Sequence, residues 1–193
     1  MFWYLCISFV AYLLGSIPSG LIAGRMAGVD IRQCGSGNIG ATNVTRTLGK
    51  KYGYPVFLAD FGKGLLSVLF ASYIARRFLP QRVEILEIVA AIFVVLGNAF
   101  PIWLRFRGGK GVAVSAGMLF GLIPLAAVSV VLVWVAIFFT TRFVSLASIL
   151  AACCLPFAVC HLQTVRLSPL SSTPFYSLLT THYSLSSPPT RTK

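Results

Sequence analysis

The sequence predicts an all-α integral membrane protein, a multi-pass helical bundle of about five spans. Three observations carry this expectation. Of 193 residues, 57% are hydrophobic and only 10% charged, where soluble domains carry about a quarter. The mean hydropathy is +0.86. The apolar residues gather in runs of roughly 20, the length that crosses about 30 Å of hydrocarbon, and short cationic loops separate the runs.

The first run extends from Phe2 to about Ala23, with Trp3 and Tyr4 suited to an interface. It lacks a basic leader and a small-residue cleavage site, so it is expected to be a retained span. Pro18 predicts a kink whose freed carbonyl a neighbour takes up. Gly20, Gly24 and Gly28 recur every four residues, predicting a small-residue helix face for close packing. A polar loop follows from Asp30 to Gly53. Tyr54 to Ala75 is the second span. Its entry carries Asp60 and Lys63, neighbours on one helix face and rare within membranes, with Gly64 after them.

Arg76, Arg77 and Arg82 connect to the third span, Ile85 to Leu104. A second polar block then runs through Arg105, Arg107, Gly108, Gly109, Lys110 and Gly111. Val112 to Phe139 is a fourth run that Pro124 should kink or tilt, with Gly117 and Gly121 on a small face. Val144 to about Leu162 is the fifth. Residues 1–161 therefore form the membrane domain. Residues 162–193 form a Ser/Thr/Pro-rich tail without helical periodicity, whose composition does not support ordering.

The chain carries 16 Lys and Arg against 4 Asp and Glu, a net charge of +12. Cations divided among short loops exclude a nucleic-acid stripe and favour the lipid bilayer and an anionic ligand. Five spans place Arg25, Arg32, Arg46, Lys50, Lys51, Arg105, Arg107, Lys110 and Arg166 on one side, and Arg76, Arg77, Arg82 and Arg142 on the other. The excess marks the cytoplasm, so the N-terminus is expected outside and both glycine-rich loops inside.

The stretch Gly35-Ser36-Gly37-Asn38-Ile39-Gly40-Ala41-Thr42-Asn43-Val44-Thr45-Arg46 contains no acid. Its glycines permit left-handed backbone and an anion-binding nest of N–H groups. Ser36, Thr42 and Asn43 offer side-chain donors, and Arg46 a charge suited to phosphate. The spacing is not that of a Walker A loop. Two such blocks on one face imply a ligand with more than one phosphate group.

What is missing limits the chemistry. The five cysteines (Cys6, Cys34, Cys153, Cys154, Cys160) form neither a disulfide framework nor a metal-ligand spacing. His161 and His182 lie far from both loops in sequence, and no Ser occupies a Gly-x-Ser-x-Gly elbow. The pattern favours transfer from an already activated donor, where the protein positions reactants and stabilises leaving charge. No metal or cofactor is implied.

The motifs around these loops resemble the bacterial acyl-phosphate:glycerol-3-phosphate acyltransferase family (PlsY). Asp30-Ile31-Arg32 and Gly35 to Asn43 with Arg46 are similar to its first signature, with Gly15-Ser16-Ile17-Pro18 upstream and Asp60, Lys63 and Gly64 downstream. Phe100-Pro101 and Gly108-Gly109-Lys110-Gly111-Val112-Ala113 are similar to its second. Val144-Ser145-Leu146-Ala147-Ser148 is similar to the start of its third. The match runs over about residues 11 to 150.

The resemblance implies acyl transfer from acyl phosphate to the 1-hydroxyl of glycerol-3-phosphate, giving lysophosphatidic acid and phosphate, in the bacterial plasma (inner) membrane. Gly35, Ser36, Gly37, Asn38, Gly40, Ala41, Thr42 and Asn43 would hold the donor's phosphate. Arg46, Lys110, Ser145 and Ser148 would hold glycerol-3-phosphate. Ser36, Arg46 and Lys110 would be catalytic, supported by Asp60, Lys63, Gly108, Gly109 and Gly111. An acyl-phosphate-producing enzyme is the implied partner. The chain departs from the family pattern at Asn98, where the family has His, and His161 to Leu167 does not reproduce its later His/Asn/Arg motif. The alternatives on the residues alone are a non-enzymatic membrane protein that binds or conducts organic phosphate, and an inactive truncated relative.

Overall fold

A computed structural model describes residues 1–167, with side chains through residue 160. All secondary structure among the described residues is helical. The chain divides into two units, residues 1–127 and 128–193, which are taken separately.

In the first unit α1 (Phe2–Ser16) stops at Ile17, the residue before Pro18, and α2 (Ser19–Met26) resumes the path. A residue preceding proline is pushed out of the helical region, and Ile17 is extended at φ −61°, ψ 116°. The short α3 (Ala41–Leu48) lies inside the polar loop expected from the sequence, and α4 (Lys50–Phe78) follows directly. At 29 residues, α4 is about 44 Å long at 1.5 Å per residue. A 3₁₀ turn at Pro80–Arg82 leads into α5 (Val83–Ala99), and α6 (Val112–Leu122) follows the second polar block.

Glycines set the packing. A Cβ at Gly15 would strike the Val94 carbonyl, and one at Gly97 the Tyr12 carbonyl, so α1 and α5 lie side by side and parallel. Gly64 meets Val114 and Gly117 meets Phe61 in the same way, joining α4 to α6. Ile7, Ala11, Ala71, Leu86, Ala90 and Val94 fill the core between α1, α4 and α5. Trp3 stacks on Phe78 at 4.3 Å, which places the start of α1 and the end of α4 together. The opposite end carries the polar loops. A second cluster of Leu21, Ile31, Ile39, Val44 and Val56 packs beneath the first loop.

The glycine face expected along the first run is divided. Gly20 packs against the Ile39 carbonyl and Val44 of α3, and Gly24 against Val29 and Ile31, so both face the first polar loop and its short helix. Gly28 lies beyond α2 at φ +73°.

The expected fourth run is two helices. α6 ends at Leu122, its cap Ile123 has left the helical region at φ −144°, ψ 72°, and Pro124 opens α7 (Pro124–Thr141). Proline is favoured at a first helical position because its missing N–H has no partner there anyway. In the second unit α7 is followed by α8 (Val144–Leu167), so residues 162–167 continue a helix across the expected domain boundary. Trp134 Nε1 donates to Ser148 Oγ at 3.1 Å, and Trp134 stacks on Phe138. The rest of the expected tail, including His182, lies outside the described residues, as does the side chain of His161.

Among the described residues four stretches are long and apolar enough to cross a membrane: Phe2–Met26, Lys50–Phe78, Pro80–Leu104 and Pro124–Thr141. Val112–Leu122 and Val144–Cys160 are shorter apolar helices.

Candidate functional site

The first loop begins with an ion pair. Asp30 caps the 3₁₀ turn Ile31–Gln33, accepting from the Arg32 backbone N–H at 3.1 Å and from its guanidinium at 3.0 and 2.8 Å. These bonds lower the Asp30 carboxyl to about 2 and raise Arg32, the Arg32 side-chain bond contributing most to the first shift. The chain then turns through Gly35 and Gly37, both left-handed at φ +59° and +70°.

Asn43 braces this turn from inside. Its Nδ2 donates to the carbonyls of Cys34 and Asn38 at 3.0 and 2.9 Å, with Ile31 O at 3.4 Å, and its Oδ1 accepts the Ser36 N–H at 2.9 Å. Asn43 is only 4% exposed. The sequence offered it as an outward donor to phosphate; its amide is instead spent on the loop's own backbone. Asn38 Oδ1 accepts the Gly40 N–H at 2.8 Å and shapes the entry to α3. Among the described residues the backbone N–H groups of Ala41 and Thr42 have no partner, at the electropositive end of α3. Ser36, Thr42 and Arg46 are exposed.

The second loop is built by backbone. After Pro101 a 3₁₀ turn, Ile102–Leu104, leads to Arg105 and Phe106, both left-handed without being glycine. The chain then returns to the end of α5. Gly108 N–H donates to Ala99 O at 3.1 Å and Gly109 N–H to Asn98 O at 3.0 Å. Gly108 lies so close to the Asn98 and Ala99 carbonyls that no Cβ fits. Gly111, at φ +73°, caps α6.

The two loops meet. The point where a Gly109 Cβ would stand is 3.6 Å from Ile39 Cγ1 and 3.8 Å from Asn38 Oδ1. A cleft of about 400 Å³ lies there, lined by Asp30, Arg32, Gly37, Ile39, Arg107 and Gly108 among others. Of the acids, Asp30 is paired with Arg32, Asp60 is paired with Lys63, and Glu84 and Glu87 sit in the first turns of α5 at the far end. The side chains of Arg46, Arg105, Arg107 and Lys110 have no hydrogen-bond or ion-pair partner among the described residues. Apart from Arg32, the cations of the loop end are therefore unpaired among the described residues.

The supporting pair is placed by the α1–α2 break. Lys63 Nζ binds Asp60 Oδ1 at 2.9 Å and donates to the Ile17 carbonyl at 3.0 Å. Both residues are buried. The kink and the ion pair, separate features of the sequence, are one arrangement.

Other expected residues are spread more widely. No hydrogen bond or ion pair links Ser36, Arg46 and Lys110, all three exposed. Ser145 and Ser148 lie on α8 in the second unit, Ser145 exposed and Ser148 bonded to Trp134. Sequence reasoning did not place Arg32 and Arg107 on the shared cleft, nor Asn98 at the loop junction. No three His, Cys, Asp or Glu side chains gather to hold a metal among the described residues.

These features define a helical membrane protein with a cationic face formed by two glycine-rich loops. Residues 5–185 match the family model described as glycerol-3-phosphate acyltransferase, reaching past the motifs at both ends. The glycerol-3-phosphate acyltransferase of Bacillus subtilis is 49% identical over 142 residues, 73% of this chain and 70% of that protein. That of Geotalea daltonii is 44% identical over 153 residues, 79% and 76% of the two chains. The crystal structure of PlsY (YgiH), an integral membrane glycerol 3-phosphate acyltransferase, in its glycerol 3-phosphate form matches with a TM-score of 0.72 at 40% identity. It covers 91% of this chain and 83% of that one. The lysophosphatidic acid form gives 0.71 at 39% identity. The chain belongs to the glycerol-3-phosphate acyltransferase family.

Proposed function

We propose that the protein transfers a fatty acyl group from an acyl phosphate to the 1-hydroxyl of glycerol-3-phosphate, giving lysophosphatidic acid and inorganic phosphate. The observation that carries this reading is the junction of two loops at which, apart from the Asp30–Arg32 pair, the cations have no acid partner among the described residues. Relatives named for glycerol-3-phosphate acylation, and a similar structure solved in glycerol 3-phosphate and lysophosphatidic acid forms, support it. The reaction runs at the bacterial inner membrane, with the loops facing the cytoplasm and the N-terminus outside. An acyl-phosphate-producing enzyme works on the same face.

In this reading the donor phosphate rests on Gly35 to Thr42, with Ser36 as side-chain donor and Asn43 holding the loop in shape. Arg46 and Lys110 hold glycerol-3-phosphate. The glycerol 1-oxygen attacks the acyl carbonyl carbon as the carbon–oxygen bond to phosphate breaks. Phosphate leaves with that electron pair and takes up the hydroxyl proton, so the protein supplies no covalent nucleophile. Its contribution is positioning and electrostatic stabilisation of the leaving phosphate.

The test is phosphate release from palmitoyl phosphate by the purified protein in detergent. Release that depends on glycerol-3-phosphate, with lysophosphatidic acid formed, is expected. Arg46→Ala and Lys110→Ala should each lower kcat/KM for glycerol-3-phosphate by roughly 100-fold, the scale of a lost charge-assisted contact. Arg76→Ala, at the far end of α4, should change it less than about twofold. Equal losses at all three positions would remove the loop end as the active face.

A further inference from the structure

Asn98 is 6% exposed, and its side-chain amide has no hydrogen-bond partner among the described residues. Neither atom of the amide is fully enclosed, since Ser16 Oγ alone is an enclosed, unpartnered side-chain polar atom among the described residues, so the amide faces an opening in which an incoming group can supply its hydrogen bonds. Its surroundings are built to keep it open. Its Nδ2 is 3.3 Å from where a Gly109 Cβ would stand and 3.6 Å from that of Gly111. Both flanks of Lys110 are thus glycines that bring no side chain over the amide. Asn38 Oδ1 lies 3.8 Å from the same Gly109 point. That oxygen is taken by the Gly40 N–H, while the Asn38 NH₂ has no partner among the described residues.

The chemistry of the amide selects its occupant. A phosphate dianion offers only acceptors; it would satisfy Nδ2 and repel Oδ1. The unpaired cations already suit phosphate. An alcohol donates and accepts at once, and so completes both ends of a carboxamide. Glycerol-3-phosphate carries one hydroxyl that reacts and a second, at C2, that does not.

We propose that the Asn98 amide is the specificity-determining contact for the C2 hydroxyl of glycerol-3-phosphate, at the junction of the two loops. The assignment rests on the acyltransferase reading above. A site built to hydrogen-bond a hydroxyl discriminates strongly against an analogue without it.

The experiment compares glycerol-3-phosphate with 3-hydroxypropyl phosphate, which keeps the reacting primary hydroxyl and lacks the C2 hydroxyl. The wild-type protein should prefer glycerol-3-phosphate in kcat/KM by at least about tenfold. Asn98→Leu keeps the size of the side chain and removes its hydrogen bonds. It should bring the preference to within about threefold, through loss on glycerol-3-phosphate alone. Because the wild-type amide is unpartnered in the protein, Asn98→Leu should melt in detergent at or above the wild-type temperature. Asn98→His, with one N–H and one acceptor nitrogen, should retain more of the preference. Equal loss on both substrates would make Asn98 a structural residue, and an intact preference in Asn98→Leu would place the hydroxyl elsewhere; either result overturns the assignment. Absence of any acyl transfer by the wild-type protein would instead remove the functional reading beneath it.

Discussion

The loop from Asp30 to Gly40 takes its shape from side chains, whereas the loop from Phe100 to Gly111 takes its shape from backbone. In the first, one buried amide at Asn43 ties Ser36, Cys34 and Asn38 together, and Asn38 and Asp30 make local turns. In the second, Gly108 and Gly109 bond to the carbonyls that end α5, and the side-chain bond it receives, from Tyr12 Oη to the Phe100 carbonyl, lies at its start. The difference concerns robustness. A side-chain brace concentrates the loop's stability in one residue. A backbone return spreads it over several carbonyls, but forbids a Cβ where the strands of chain touch.

The largest expected effect separates the two designs. Asn43→Leu keeps the volume, leaves the Ser36 N–H and the Asn38 carbonyl without partners at about 1 kcal/mol or more each, and takes from the Cys34 carbonyl one of its two bonds, the Gly37 N–H remaining. The first loop should lose its shape, and acyl transfer should fall by more than about 100-fold. Gly108→Ala drives a Cβ into the Asn98 and Ala99 carbonyls and the Pro101 ring, so the second loop must lift from the end of α5. A loss of roughly tenfold is expected, mainly in KM for glycerol-3-phosphate. Steady-state kinetics on both variants checks the order. A harmless Asn43→Leu would end the comparison, because it would show the first loop held by something other than its side-chain brace.

The next prediction sharpens it by reaching the first loop from a distance. Lys63 holds the Ile17 carbonyl at the α1–α2 break, and Gly20 on α2 packs against Ile39 in the loop. Lys63→Met leaves Asp60 buried without its counter-charge, a loss of about 3–5 kcal/mol. The melting temperature in detergent should fall, and KM for acyl phosphate should rise more than KM for glycerol-3-phosphate. Asp60→Leu combined with Lys63→Met should recover stability, since removing a whole buried pair is close to neutral. A double variant no better than the single one would show that the Ile17 contact, and not the ion pair, is what matters.

The spans and both loops were legible because composition states them directly: long apolar runs, glycines beside cations, and acids absent. The direction in which a polar side chain turns was not. Nothing in Gly35 to Arg46 distinguishes an outward Thr42 from an inward Asn43, because that depends on where Cys34 and Asn38 present their carbonyls. Residues Ala41–Leu48 looked like loop, since Thr, Asn and Val are weak helix formers; packing of Val44 against Ile31 and Leu21 supports the helix. Pro18 and Lys63 were each recognised, but 46 positions separate Lys63 from the Ile17 carbonyl, and no local pattern joins them. Pro124 was recognised as a kink; it opens a new helix because Ile123 has left the helical region.

The smallest expected effect concerns the one ion pair at the loop end. Asp30 and Arg32 are open to solvent, and exposed pairs contribute little. Asp30→Asn should therefore change the melting temperature only slightly at neutral pH, and should lower KM for the anionic substrates by at most about twofold as Arg32 gains effective charge. The pH dependence identifies the pair. The Asp30 carboxyl is lowered from 3.8 to about 2 by Arg32, so its contribution to stability is fully present above the ordinary carboxylate range. It is lost as pH falls from about 4 toward 2. The difference in melting temperature between wild type and Asp30→Asn should stay constant from neutral pH down to about 5 and close below it. A difference that persists at pH 2 would assign the effect of Asp30 to its hydrogen bond with the Arg32 backbone, which Asn also makes poorly, and not to charge. The first loop would then depend on side-chain hydrogen bonding throughout, from its cap at Asp30 to its brace at Asn43.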